Sequence, residues 1–133
     1  MAKLNEIRDD LIAWISSNVS GLTEVKEYEG ELESDGEWVP GLPCCLIEIT
    51  GMVPIARDAS NKIMKHATGF RTYIAGKFQD TYDVLIYVDD VMTALEDLVL
   101  AYTGQRFEAY FQEMRYAGKD TTVKVYELEY LLQ

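Results

Sequence analysis

The stretch from Tyr82 to Tyr102 constrains this chain more than any other. Val84, Val88, Val91, Leu95, Leu98 and Tyr102 recur every three or four residues, and Leu85, Met92 and Val99 widen the stripe on one flank. Asp83, Asp89, Asp90, Glu96 and Asp97 fall on the opposite side. The spacing predicts an amphipathic helix from Tyr82 to Tyr102, whose apolar face needs a sheet or a second helix to cover it. Asp80 or Thr81 is placed to cap its start, Asp83 suits the positive end of the helix dipole, and Gly104 is placed to end it. Nothing in this stretch is chemically reactive.

Leu4, Ile7, Leu11, Trp14 and Ile15 repeat with the same period while Glu6, Asp9 and Asp10 face away, which predicts a first helix from about Lys3 to Asn18. The remaining apolar runs read as strands: Glu24 to Glu31, Cys44 to Thr50, Thr68 to Ala75, Phe107 to Tyr116 and Thr122 to Leu131. Ser34-Asp35-Gly36 and Ala117-Gly118-Lys119-Asp120 have turn composition. Gly51 to Ala67 has weak periodicity and reads as a long loop or the tip of a protruding hairpin. In the last strand Val123 and Val125 share one face and Tyr126, Leu128 and Tyr130 the other, so either a bulge near Val125 or burial on both faces is expected. The chain has 133 residues, 48% of them hydrophobic, enough for one core in a single domain spanning residues 1–133. The fold class expected is α+β, a mainly antiparallel sheet of about five strands with two helices packed on one face, in the order α-β-β-β-α-β-β.

The formal net charge of -11 argues against a protein that grips phosphate backbones, because such proteins concentrate Lys and Arg. Met1-Ala2-Lys3-Leu4 leads straight into a charged helix and no apolar run approaches membrane-spanning length, so neither a targeting segment nor a membrane partner is expected. Cys44 and Cys45 are adjacent in a strand, so their side chains point to opposite faces and cannot staple distant segments; buried reduced thiols and synthesis in the cytoplasm follow. His66 is the single histidine, with no nucleophile motif around any serine. Cys44, Cys45 and His66 lack zinc-ligand spacing, and no glycine-rich phosphate loop occurs. No catalytic residue, cofactor or metal is expected.

What stands out is charge segregation. Glu27, Glu29, Glu31 and Glu33 sit two apart, with Asp35 and Glu37 continuing the series, while Tyr28, Leu32 and Trp38 occupy the other phase. Residues 24–37 carry seven acids against Lys26, a net of -6; residues 57–77 carry Arg57, Lys62, Lys65, Arg71 and Lys77 against Asp58, a net of +4. Like charges stacked in one phase repel unless something positive faces them. The two patches either pair within the fold or meet on neighbouring copies in a head-to-tail contact, whose finite product is a closed ring. Candidate interface residues are therefore Arg57, Lys62, Lys65, His66 and Arg71 on one side and Glu27, Glu29, Glu31 and Glu33 on the other. Ile86 and Leu100 interrupt the acidic side of the long helix and are further contact candidates.

Ile7-Arg8-Asp9-Asp10-Leu11-Ile12, Val25-Lys26-Glu27-Tyr28-Glu29-Gly30-Glu31, Gly41-Leu42-Pro43 ahead of an apolar strand, and the closing Val125-Tyr126-Glu127-Leu128-Glu129-Tyr130 resemble the tail terminator family of Mu-like contractile-tailed bacteriophages. The resemblance spans nearly the whole chain and its motifs are short and structural. It implies an α+β subunit of a hexameric ring at the head-proximal end of the virion tail, which stops growth of the tube and sheath and meets a neck or connector protein. The expected partners are further copies of the chain, the tube and sheath proteins and the connector. DNA is expected to pass through the ring without specific binding. The family brings no catalytic residues. Gly51 to Ala67 and the regular acid alternation depart from it. The alternatives are another neck or head-to-tail joining protein, an acidic DNA mimic or inhibitor that binds a basic host protein, and, more remotely, a small carboxylate hydrolase.

Overall fold

Each helix forms within its apolar stripe, and each packs that stripe on the same face of one sheet. The computed structural model describes residues 3–33, 38–57, 59–60, 63–77, 83–118 and 122–133, apart from the side chains of Arg57, Ile63 and Met64. The elements run α1 (Leu4–Asn18), β1 (Glu24–Glu27), β2 (Cys44–Arg57), β3 (Ile63–Lys77), α2 (Val84–Glu96), β4 (Val99–Tyr102), β5 (Gln105–Tyr116) and β6 (Val123–Leu132). The strands form one six-stranded sheet in the order β1-β2-β3-β6-β5-β4. Every pairing is antiparallel except β1 with β2. The fold is thus α+β with six strands rather than five, and the order is α-β-β-β-α-β-β-β.

Ile7, Leu11 and Ile15 of α1 and Val84, Val88, Val91 and Leu95 of α2 pack with Cys45, Ile47, Phe70, Ile74, Leu128, Tyr130 and Leu132 in the main core. The Trp14 indole N–H donates to the Ala94 carbonyl at 2.9 Å and ties one helix to the other. The opposite face of the sheet carries a smaller cluster of Cys44, Leu46, Tyr73, Ala75, Val123 and Val125, covered by Tyr28, Leu32, Trp38 and Leu42 from the crossover between β1 and β2. A parallel pair needs a connection of about a dozen residues or more, and this one also serves as the lid of the second cluster. The two phases of β6 are accounted for in the same way: Val123 and Val125 are buried on one face, Leu128, Tyr130 and Leu132 on the other. The bulge falls across the ladder instead, between Phe111 and Glu113 of β5.

The long helix is shorter than its stripe. Asp83 caps it, its carboxylate accepting the Leu85 N–H at 3.0 Å, while Asp80, Thr81 and Tyr82 lie outside the described residues. It ends at Glu96, and Val99 to Tyr102 turn back as β4 against Gln105 to Glu108. Gly104, at φ 76°, does not end a helix; it makes the two-residue turn between Tyr102 and Gln105, where a positive φ is needed. Leu100 is correspondingly buried in the main core rather than available for contact.

The strand expected to reach Glu31 stops at Glu27. Tyr28 turns onto the far face, its ring stacked on Tyr73 with centroids 4.1 Å apart, and Gly30 at φ 86° begins a turn through Glu33. Burying Tyr28 and Leu32 outweighs continued pairing at the sheet edge. Ser34-Asp35-Gly36 lies outside the described residues, as do Lys119 and Asp120 of the other expected turn.

Cys44 and Cys45 are free and buried, one in each cluster. Burial, with Glu24 adding repulsion, pushes the Cys44 thiol from its ordinary 9.0 up to about 12, and burial raises Cys45 as well. Burial, aided by Glu96, likewise takes Tyr130 from 10.0 up to about 12. A folded value above the unfolded one means that the native state holds the proton longer. Their contribution is therefore full below about pH 9 and is lost as pH rises toward about 12. The expected result is a urea midpoint that falls across that window, and falls less in Cys44→Ala/Cys45→Ala. An unchanged slope in the double variant would remove the thiols from this account.

Candidate functional site

The middle strands outrun their neighbours. β1 pairs with β2 only through Cys44 to Ile47, and β6 pairs with β3 only from Thr68 to Lys77. Among the described residues, 53–57 of β2 and 63–67 of β3 thus pair with each other alone and form a two-stranded arm, with Gly51 and Met52 at its root opposite Gly69 and Thr68. The stretch expected as a loop or protruding hairpin is the hairpin. Gly51, at φ 148°, marks the point where the register shifts and the arm leaves the sheet. Met52, Val53 and Ile55 are between 38% and 46% exposed along it. A lone two-stranded ribbon is marginal in water, and a contiguous exposed apolar surface marks a contact site.

The arm carries much of the basic patch. Arg57 ends β2 and Lys65 is exposed on β3, opposite Ala56; His66 is half-buried opposite Pro54, and Lys62 lies outside the described residues. Residues 51–67 carry a net of +2, so the rest of the chain stands at -13. At the arm's base a groove of about 750 Å³ opens between β2, β3, the start of α1 and the turn from β4 to β5. Lys3, Lys65, His66 and Arg106 line it with the apolar Leu4, Met52 and Phe107, and among the described residues no carboxylate side chain is in its lining.

Arg71 is not part of this surface. It sits mid-sheet on the face away from the helices, its Nε 3.1 Å from Glu127 Oε1 and its Nη atoms 3.8 Å from Glu129 and 3.9 Å from Glu48. Arg115 grips the same Glu127 with two hydrogen bonds of 3.1 Å, and the Tyr73 hydroxyl donates to Glu48 at 3.0 Å. Glu127 is nearly buried, and its two guanidinium partners compensate the desolvation. Charge and motif do not distinguish Glu127 from its neighbours in the sequence. Its phase, shared with Val123 and Val125, was the available signal.

The acids are dispersed as well. Glu27 accepts from Arg8 Nη1 at 3.2 Å; Glu31 accepts the Glu29 backbone N–H at 2.8 Å, and Glu33 accepts the Tyr28 hydroxyl. They lie along an edge strand and a turn rather than on one strand face. Among the described residues no ion pair joins the arm to Glu27, Glu29, Glu31 or Glu33. Among those residues, too, no three His, Cys, Asp or Glu side chains gather as a metal site, and no helix is long and apolar enough to cross a membrane. Comparison of the chain with protein-family models gives no match, and comparison with curated proteins gives none.

Proposed function

We propose that this chain is a non-enzymatic virion assembly protein, a tail terminator whose copies close into a hexameric ring at the head-proximal end of a contractile tail. In this reading, subunits made in the host cytoplasm assemble on the finished tube and sheath, halt their growth, and present a surface to the connector. The observation that carries it is the arm, a basic and partly apolar ribbon projecting from a domain that is otherwise strongly acidic. Such a molecule attracts its own kind head to tail, since the arm of one copy meets opposite charge almost anywhere on the next. The resemblance in Ile7 to Ile12, Val25 to Glu31, Gly41 to Pro43 and Val125 to Tyr130 supplies the biological setting.

Electron microscopy of the purified protein mixed with tail tubes tests the reading directly. Capped tubes with a ring at one end are expected; rings on the connector alone would favour a neck-joining role, and an unaltered tube population would sink both. Lys62→Glu together with Lys65→Glu reverses the arm's charge and is expected to abolish capping while leaving the far-UV circular dichroism spectrum unchanged. Full capping by that variant would remove the arm's charge from the mechanism.

A further inference from the structure

The surface that receives the arm is legible in the ladder of β5. Gln105 to Glu108 pair with β4, and Ala109 to Tyr116 pair with β6 on the opposite side. Past Glu108 the outer edge of β5 therefore has no strand partner among the described residues. Native proteins seldom leave an apolar edge open, because its unpaired N–H and C=O groups are a template for another chain. This edge is apolar: Tyr110, Phe111, Met114 and Tyr116 are between 40% and 47% exposed. The bulge between Phe111 and Glu113 shifts the register so that Phe111, Met114 and Tyr116 lie opposite Tyr130, Leu128 and Tyr126 of β6. Three large apolar side chains thus line one side of an open strand.

We propose that residues 51–57 in the arm of one copy add as a further strand to Ala109–Tyr116 of a second copy. Both partners are strands of similar length that expose apolar side chains and, among the described residues, have no strand partner along one edge. Strand addition gives partners to the open peptide groups of both strands, Pro54 contributing no N–H, and covers both apolar surfaces at once. Charge selects this pairing over arm with arm, because two arms at a net of +2 repel while the arm is attracted to the remaining -13. The contact is heterologous, so each copy keeps one free arm and one free edge until a ring closes. The proposal deepens the terminator reading by naming the receiving surface, and rests on that reading only for closure into a ring.

Site-specific photocrosslinking tests it without reference to register. Benzoylphenylalanine replaces Phe111 in one preparation, and a second, wild-type preparation is labelled with nitrogen-15. The two are mixed, irradiated both free and on tail tubes, and the crosslinked peptides are assigned by mass. Adducts from position 111 to residues 51–57 of the labelled chain are expected, with at least a tenfold loss when the probe chain also carries Met114→Lys. A second probe at Tyr110 guards against a local folding defect at position 111. Adducts to residues 109–116 of the labelled chain, adducts elsewhere, or none in either setting overturn the proposal. Arm-to-edge adducts without capped tubes keep this inference and sink the terminator reading; capped tubes without such adducts do the reverse.

Discussion

Val88→Asp is expected to abolish the cooperative thermal transition of this protein and leave it unfolded or insoluble. Val88 is 1% exposed at the centre of α2, within the cluster that joins both helices to the sheet. The substitution loses about 1.5–3 kcal/mol of apolar burial and leaves a carboxylate among Val, Leu, Ile and aromatic side chains. Removing an ion from water costs several kcal/mol even after relaxation, and a domain is stable by only about 5–15 kcal/mol in all. The loss therefore approaches the whole of the folding free energy. Ile86→Asp, two residues earlier on the exposed side, is expected to stay within about 0.5 kcal/mol of the native protein. A circular dichroism melt of the two variants decides it. A folded, soluble Val88→Asp protein with a native-like midpoint would refute the placement of this helix.

The next largest effect is expected at Arg71. Replacing it with Met leaves Glu127 to Arg115 alone and removes the one cation paired with Glu48 among the described residues. Breaking a fully buried pair costs roughly 3–5 kcal/mol. Because the Arg71 side chain keeps 30% of its surface in water, about 2–3 kcal/mol is expected. Adding Glu127→Leu removes the carboxylate that has lost one of its two guanidinium partners and should recover part of that loss, since the half-exposed Arg115 is left to water. Urea denaturation of the two single variants and the double variant measures the coupling. A loss under about 1 kcal/mol in Arg71→Met, or a double variant no better than the single, would mean that the network contributes little.

Arg71 also shows why interface residues are harder to read than core residues. Its positive charge joined it to the basic patch, yet its place in the ladder puts it beside Glu129 and Glu48. Charge counted along a sequence takes no account of which neighbours the register supplies. Lys65 and His66, only a few residues earlier, fall past the end of β6 and so stand on the arm.

What the sequence by itself determined is the set of faces. Periodicity alone located α1 to within a residue and placed α2 inside a longer stripe, although the cap is Asp83 rather than Asp80 or Thr81. It also separated Cys44 from Cys45 and left two readings of β6, of which burial on both faces is the one the fold adopts; the order of strands and helices put both helices on one side of the sheet. Apolar surface must leave water whatever the topology, so this information is local. Only the tertiary structure decided where pairing begins and ends. Val99 to Tyr102 satisfy a helical period and a strand period equally well, and the strand wins because Gln105 to Glu108 are there to pair with it. The acids after Glu27 alternate like a strand, but Tyr28 is drawn to Tyr73 across the sheet and the strand stops. The arm and the open edge of β5 are defined by partners that end too soon. Hydrogen-bond partnership between distant segments is a property of the whole ladder, and no single stretch of residues encodes it.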